Sequence, residues 1–357
     1  MQAPKHPRES YNVGIICALH VELAAVVTTL DEEHGSVEQI PGDDNAYFFG
    51  KIGAHNVVVA CLAAGVMGKV SATAVAEDMM RSFPIKAGLT VGICGGVWSK
   101  KVDVRLGDVV VSQPNGIHGG VVQWDYGKLE RYGMFRRTGT LSKPPLPLLS
   151  AVQRLKARHM RDDSEISNHL EQMFAKKPRM SIKFGHQGSD HDKLFKASYR
   201  HVGGDDCRDC DPAEEEDDRP EREDTNPRVH YGNIASGDAV IKDGPTRDRI
   251  AREEGILAFE MEAAGLTDRF PCVVIRGVCD YADSHKNKRW QPYAAATAAC
   301  YCKELLYVVK QQEVAELSQA SKSPALHFRP SCTMIYCIPL ITWVVLHISC
   351  GSLLGTW

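Results

Sequence analysis

Four carboxylates follow directly on apolar segments of the sequence; they are Glu22, Glu260, Glu262 and Asp280. The carboxyl ends of the parallel strands in an α/β protein meet at one edge of the sheet, and ligands bind there. Carboxyl groups gathered at such an edge can donate a proton, activate a water molecule or accept hydrogen bonds from hydroxyl groups. Their positions therefore predict acid–base chemistry on a ligand that carries hydroxyl groups.

Asp280 comes after residues 272–278, the most hydrophobic of these segments. Burial disfavours the charged form of a carboxyl group, so an acid that emerges from such a strand is suited to donate a proton. The structural alternative is a helix N-cap, a role that Asp283 or Ser284 would fill equally well.

Glu260 and Glu262 flank Met261 in the segment AFEMEAAGL, where a strand is expected to pass into a helix. Their other neighbours are apolar, so the two acids do not fit a solvated helix face. Glu22 stands near the start of a predicted helix, where a glutamate is common because it interacts favourably with the helix dipole. On spacing alone, the pair therefore indicates a ligand site more strongly than Glu22 does.

Two glycine-rich segments limit the class of ligand. Only two residues separate the glycines in residues 65–68, GVMG, whereas a Walker A phosphate loop needs four. Residues 92–96, GICGG, lack the GxGxxG pattern of dinucleotide-binding folds. They still allow a ligand to approach the backbone closely, because glycine has no side chain.

Short apolar segments rich in valine and isoleucine alternate with amphipathic ones from residue 11 onward, which predicts buried strands and helices. The predicted strands cover residues 11–17, 56–60, 87–93, 108–112, 233–235, 256–259 and 272–278. The predicted helices cover residues 22–32, 69–83, 246–254 and 262–269. This alternation predicts a three-layer α/β/α fold with a central mixed sheet.

Residues 128–229 interrupt the pattern and are expected to form an insertion in a domain that spans residues 11–310. The insertion begins with prolines and a helical segment at residues 149–159. It later contains an acidic run, residues 205–224, with twelve acidic residues and three arginines. Because so charged a segment buries little apolar surface, we expect a mobile loop.

The length, hydrophobic content and charge of the chain limit which kinds of protein it can be. The chain has 357 residues, 43% of them hydrophobic, and a formal net charge of −3. These values allow a large α/β domain and give no reason to expect binding to nucleic acid. Residues 1–10 form a tail without the apolar segment of a secretion signal. We therefore expect a cytoplasmic location, with the nucleus as the alternative.

The twelve cysteines are scattered, many of them in apolar segments, which indicates a reducing compartment rather than a disulfide framework. Cys207 and Cys210 form a single CxxC motif near His201. Because no second pair follows at zinc-finger spacing, a structural or incidental role is favoured over a metal site, and no metal is expected.

The carboxyl-terminal part changes character after residues 311–330, which are expected to be a linker or a helix end. Residues 331–357 contain no acidic residue, lysine or arginine, and a bilayer span takes roughly 20 apolar residues. Pro339 and His347 weaken that interpretation. A hydrophobic tail packed on the domain and a membrane contact both remain open.

Seven segments, in this order along the chain, resemble the purine and uridine phosphorylase superfamily, and within it the methylthioadenosine/S-adenosylhomocysteine nucleosidase branch. They are GIICALHVEL, AAGVMGKVSA, TVGICGGV, LGDVVVSQ, IASGDAVI, FEMEAAGL and VIRGVCDYADS. The match covers residues 11–127 and 230–310. The longer segment RGVCDYADSHKNKRWQPYAAATAA looks like the version found at the amino terminus of fungal immune-receptor-like proteins.

The resemblance implies cleavage of the N-glycosidic bond of a purine nucleoside or nucleotide, through an oxocarbenium-like sugar. Asp280 would then protonate N7 of the departing purine, and Glu22 would activate the attacking water. Glu262 would hold the ribose hydroxyls and Met261 would pack against the sugar, with Glu260 as a further substrate-binding candidate.

The resemblance also implies the walls of the site. Val240 and Ile241 would line the base pocket. The floor near the anomeric carbon would consist of Ile93, Cys94, Gly95 and Gly96. A small hydroxyl residue is common in the family where Ile93 stands, which puts a direct polar contact at this position in doubt.

The attacking group is expected to be water rather than phosphate, because the opening CALHVEL places a carboxylate where the phosphorylases have an arginine-bearing segment. Two alternatives remain. One is a phosphorylase that uses phosphate as co-substrate, and the other is a catalytically silent ligand-sensing module. No cofactor is expected, and the resemblance implies a homo-oligomer, specifically a dimer.

Overall fold

A computed structural model describes residues 3–216 and 218–320 of the chain. Its strands are β1 (Val13–Cys17), β2 (Glu32–Glu33), β3 (Tyr47–Ile52), β4 (His55–Cys61), β5 (Ala87–Gly96), β6 (Val109–Ser112), β7 (Val121–Gln123), β8 (Gly127–Leu129), β9 (Phe135–Arg137), β10 (Val229–Ser236), β11 (Ile256–Glu260) and β12 (Cys272–Asp280). Its α-helices are α1 (His20–Thr29), α2 (Lys69–Ser82), α3 (Leu146–His159), α4 (Ile166–Lys176), α5 (Pro178–Phe184), α6 (Gly244–Glu254), α7 (Gln291–Val308) and α8 (Gln311–Ala315). The predicted hydrophobic tail at 331–357 lies outside the described residues.

The main sheet is mixed, with the strand order β11-β10-β6-β12-β5-β1-β4-β3-β2 and with β7 beside β10. Strands β4, β1, β5 and β12 are parallel neighbours, whereas β6 runs antiparallel to β12. Strand β11 pairs with β10 on one side and, through Ala258 and Phe259, with β5 on the other. This second pairing closes one end of the sheet into a ring and brings the ends of β5, β11 and β12 together.

Helices cover both faces of the sheet, which explains why its central strands are apolar throughout. Helices α1 and α7 pack on one face, where Val26 and Tyr301 are buried against β1 and β5. Helix α2 packs on the other face, where Met79 lies in a second core with Phe270. The predicted three-layer α/β/α fold with a central mixed sheet is therefore confirmed.

Helices α3 and α4 in residues 128–229 extend the core on the side of α7. The apolar face of α3 includes Leu148 and Leu155, and that of α4 includes Leu170 and Met173; all four side chains are buried. The sequence predicts α3 but neither α4 nor α5. Much of this segment therefore contributes a helical layer to the domain.

The acidic run, residues 205–224, is anchored by two of its arginines. Arg222 donates hydrogen bonds to both carboxylate oxygens of Asp108, at 2.7 Å each, and Asp108 is buried. Arg219 donates to Asp192 at 2.6 Å and to the Tyr281 hydroxyl at 3.0 Å. Composition alone predicts a solvated loop here, because it does not reveal that these two guanidinium groups neutralise carboxylates of the domain.

One predicted helix is wrong, and the long helix α7 is missed. Residues 262–269 form only a 3-10 turn, Ala263–Gly265, because the backbone of Gly265 packs on α2; an added Cβ would lie 2.2 Å from the Lys69 carbonyl oxygen. Helix α7 is not predicted, because it is buried on nearly every side and so lacks the amphipathic pattern of a surface helix. No helix in the described residues is both long and apolar enough to cross a membrane.

Candidate active site

The start of α1 and the carboxyl ends of β5, β11 and β12 surround a single cavity. It is lined by Ala18, Leu19, Glu22, Met67, Ile93, Cys94, Gly95, Ala239, Val240, Ile241, Phe259, Glu260, Met261, Glu262, Cys279, Asp280, Lys286 and Gln291. Every predicted site residue except Gly96 belongs to this wall. Gly96 lies behind it, where an added Cβ would be 2.6 Å from Val278.

Glu22 is the third residue of α1, and its carboxylate is buried. One oxygen accepts hydrogen bonds from the backbone N–H groups of Ala18 and Leu19, at 2.7 and 2.9 Å. The other oxygen accepts from the N–H of Ile93, at 2.8 Å. Burial raises the pKa of Glu22, and Arg276 and the backbone donors lower it only in part. Glu22 thus caps the helix and also ties it to β5 beside the cavity.

Arg276 supplies a buried cation that the sequence analysis missed. It lies on β12, and only 2% of it is exposed. Its guanidinium bonds to Glu260 and lies 3.4 Å from a Glu262 oxygen. Gly92 makes this position possible, because a Cβ there would lie 2.0 Å from Arg276 Nη1. The sequence does contain a signal for this cation, namely an arginine inside the otherwise apolar segment CVVIRGVCD. Arginine is almost never fully buried without a partner, so such a position predicts a buried ion pair.

Glu260 and Glu262 differ in how much of their carboxylate is already bonded. Glu260 accepts hydrogen bonds from the N–H groups of Glu262 and Ala263, at 3.0–3.1 Å, and also bonds to Arg276. Glu262 has a longer contact with Arg276, at 3.4 Å, and the backbone N–H of Gly68 also lies close enough to lower its pKa. Burial, with Glu260 and Glu22 nearby, raises the pKa of Glu262 to about 7, although Arg276 opposes the shift. Glu262 is therefore the freer acceptor for a ligand.

Asp280 is the last residue of β12, and no helix begins directly after it. One oxygen accepts hydrogen bonds from the N–H of Ala282, at 2.9 Å, and lies 3.1 Å from the Lys286 ammonium. The other accepts from the thiol of Cys279, at 3.2 Å. The sequence analysis foresaw burial of Asp280 but not this lysine. The Asp280 carboxylate raises the pKa of Lys286, which keeps the lysine charged.

Carboxyl groups outnumber basic side chains in and around the cavity. Three carboxyl groups, on Glu22, Glu260 and Glu262, share the single guanidinium of Arg276. Lys286 is the only basic side chain among the residues that line the cavity, and it is paired with Asp280. An excess of carboxylates stabilises a positively charged sugar and repels an anion.

Comparison with known proteins identifies a family and several relatives. Residues 12–143 match the family model of the phosphorylase superfamily. A nucleotide-binding leucine-rich repeat (NLR)-like protein of Hyaloscypha variabilis is 45% identical over 316 residues, which cover 87% of this chain and 31% of that protein. The chain thus spans under a third of the length of this relative.

Two further relatives are nucleosidases. A 5'-methylthioadenosine/S-adenosylhomocysteine nucleosidase of Mycobacterium bovis is 26% identical over 300 residues, which cover 82% of this chain and 95% of that protein. A death domain-containing ATP nucleosidase of Amphimedon queenslandica is 26% identical over 299 residues, which cover 80% of this chain and 46% of that protein.

Among solved structures, the S-adenosylhomocysteine nucleosidase of Streptococcus pyogenes shares the fold, with a TM-score of 0.52 and 18% identity. The alignment covers 84% of this chain and 98% of that structure. Sequence motifs, fold and relatives agree. The chain therefore carries a nucleoside phosphorylase domain of the phosphorylase superfamily and resembles the nucleosidases of that superfamily.

Proposed function

We propose that this chain hydrolyses the N-glycosidic bond of a purine nucleoside or nucleotide. The observation that carries the proposal is the arrangement of Glu22, Glu262 and Asp280 around one cavity whose only lining cation is paired. Bond cleavage leaves positive charge on the ribose and negative charge on the purine. The acidic cluster suits the first charge, and a proton from Asp280 neutralises the second.

Glu262 and Glu22 act on the sugar side of the bond. Glu262 has acceptor capacity left for the ribose hydroxyls, because Arg276 contacts only one of its oxygens, at 3.4 Å. The raised pKa of Glu22 makes it a stronger base toward a water molecule than an ordinary glutamate. Glu260, whose oxygens are already bonded, acts indirectly by fixing Arg276 and the turn that carries Glu262.

Asp280 and Lys286 act on the purine side. Asp280 takes up a proton from solvent before the bond breaks and donates it to N7 of the departing purine, while Glu22 accepts a proton from the attacking water and returns it to solvent. The Asp280 carboxylate that remains pairs again with the Lys286 ammonium and the N–H of Ala282. Met261, Val240 and Ile241 supply apolar wall for the sugar and the base, while the backbone of residues 93–95 closes the floor. The carboxylates thus lie on the side of the sugar, which becomes positive, and the proton donor lies on the side of the purine, which becomes negative.

Purine release is expected to proceed at the same rate with and without phosphate, because the acidic cluster repels a phosphate dianion. The test incubates the protein with adenosine, inosine, methylthioadenosine, S-adenosylhomocysteine and ATP, and measures free base and sugar by chromatography. Free ribose, or its 5'-substituted form, is the expected second product. Release that rises from zero with added phosphate and yields ribose 1-phosphate would show a phosphorylase instead.

Nucleoside affinity is expected to fall as the pH drops below about 7, the pKa of Glu262. The ionised carboxylate accepts bonds from two hydroxyls, whereas the protonated form loses part of that capacity. Each pH unit below the pKa then weakens binding by up to about tenfold. An ordinary glutamate would remain ionised across this range, so its affinity curve would be flat.

The affinity of adenosine, measured by calorimetry between pH 5.5 and 8.5 in the Asp280→Asn protein to prevent turnover, checks this dependence. The Glu262→Gln substitution in the same background is the control, and its affinity is expected to be weaker and independent of pH. A pH dependence that survives Glu262→Gln would assign the titration to another group, with Glu22 first in line.

A further inference from the structure

A second group of reactive side chains lies outside the nucleoside cavity, at the start of the acidic run. His201, Cys207 and Cys210 bring their ligand atoms within 4.8 Å of one another. Around a tetrahedral zinc ion, with Zn–S of about 2.3 Å and Zn–N of about 2.0 Å, ligand atoms lie roughly 3.5–3.8 Å apart. The three side chains are therefore already gathered at nearly the spacing that the ion requires.

The local backbone also fits a metal site. The N–H of Cys210 donates to the carbonyl of Cys207 at 3.3 Å, so the CxxC segment forms a tight turn. Such a turn places two sulfur atoms on one side of the chain. His201 enters from the preceding segment, where its backbone N–H donates to the Ser284 hydroxyl at 3.0 Å.

A fourth side chain beside this group has no hydrogen-bond partner. His285 is 7% exposed, and neither of its ring nitrogens makes a hydrogen bond within the described part of the chain, although Nδ1 lies 3.6 Å from an Asp283 carboxylate oxygen. Its ring stacks on Phe195 at 4.2 Å and lies 5.5 Å from the ring of His201, between centroids. Burying an imidazole whose ring nitrogens make no hydrogen bond is costly. A metal ion next to it would provide the missing interaction.

We propose that His201, Cys207 and Cys210 bind a zinc ion, with the fourth position open to the ring of His285. Two sulfur atoms and imidazole nitrogen form a ligand set that selects zinc over magnesium or calcium, which prefer oxygen. The ring of His201 now contacts the Asp206 carbonyl through Nε2, at 2.9 Å, and the Gly203 N–H through Nδ1, at 3.2 Å, so it would exchange one of these contacts for the metal. A disulfide between the two cysteines would leave the His285 ring nitrogens without hydrogen bonds. The sequence obscures the site because the remaining ligands are histidines, one of them far along the chain, rather than a second cysteine pair.

The ion has a structural consequence for the nucleoside cavity. It would link the acidic run to the segment between β12 and α7, because His285 belongs to that segment. The next residue, Lys286, pairs with Asp280. Zinc would therefore hold in place the segment that carries Lys286.

The experiment measures the metal content of the full chain by inductively coupled plasma mass spectrometry after dialysis, and it requires no enzyme activity. About one zinc per chain is expected, because a site with this ligand set retains zinc tightly at neutral pH. The double variant Cys207→Ser/Cys210→Ser is expected to lose it. Cys61→Ser, which changes a half-buried cysteine outside the group, is the matched control and is expected to keep it.

A measurement on the wild-type chain removes any dependence on how the variants fold. Replacing zinc by cobalt is expected to produce the thiolate-to-cobalt charge-transfer absorption of a cysteine-bound metal. A folded wild-type chain free of zinc and of this absorption would overturn the proposal. So would a mass spectrum that shows a Cys207–Cys210 disulfide, or equal loss of zinc in Cys61→Ser and the double variant.

Discussion

Replacing Asp280 by asparagine is expected to lower the turnover of a purine nucleoside by roughly 10²–10⁴, the usual contribution of a general acid, while leaving affinity largely unchanged. The amide has the shape of the carboxyl group and can still accept from the N–H of Ala282. It cannot release a proton to the purine. Binding and chemistry should therefore separate in this variant.

Steady-state kinetics of base release, with affinity measured independently by calorimetry, checks this expectation. Asp283→Asn is the matched control, because Asp283 is a buried acid of the same segment that does not line the cavity. It is expected to retain most of the turnover. An Asp280→Asn protein that keeps more than about a tenth of the wild-type turnover would remove Asp280 as the acid, and Asp283 would become the next candidate.

The sequence was sufficient to predict that the main acids lie close together. Glu260 and Asp280 end apolar segments, and Glu22 begins a helix after a third, so the rule for parallel strands in α/β sheets predicts that all of them lie at one edge. The three groups do surround one cavity. Strand β11, however, runs antiparallel to β5 and so to β12, and Glu260 reaches the cavity because the sheet closes between β11 and β5. Continuous apolar segments identified the strands, since strands buried on both faces are apolar throughout.

The partners of those acids could not be predicted in the same way. Arg276 meets Glu260 because β11 also pairs with β5, a closure of the sheet that no local pattern specifies. Lys286 reaches Asp280 from a segment without regular structure. Such contacts depend on how elements pack in three dimensions, whereas periodicity reports only which face of each element is buried.

Gly96 shows the same limit at one residue. It is adjacent in sequence to Gly95, which lines the cavity, but alternate residues of a strand face opposite sides of the sheet. Ile93, Cys94 and Gly95 nevertheless all line the cavity, whereas Gly96 is packed against Val278 and Val104. The sequence places a strand end near the ligand, but the packing around each residue decides which of them can make contact.

Replacing Arg276 by leucine is expected to lower the free energy of unfolding by about 3–5 kcal/mol, the usual effect of removing one partner from a buried ion pair. The guanidinium is buried against Glu260 and Glu262, and Glu22 also interacts with it electrostatically. Without it, the Glu260 carboxylate loses a charged partner in a place that water does not reach. Among the substitutions considered, this one is expected to cost the most stability.

Urea unfolding followed by circular dichroism measures the loss. Arg249→Leu is the matched control, because Arg249 pairs with Glu253 on the exposed surface of α6, where such a pair is worth only about 0.3–0.5 kcal/mol. The double variant Arg276→Leu/Glu260→Leu separates lost attraction from an unpaired buried charge. If the unpaired carboxylate is the cause, the second substitution restores part of the stability. Equal stability of Arg276→Leu and Arg249→Leu would instead mean that the acids of the cavity are uncharged in the folded protein, and their assignment as a cation-stabilising cluster would fail.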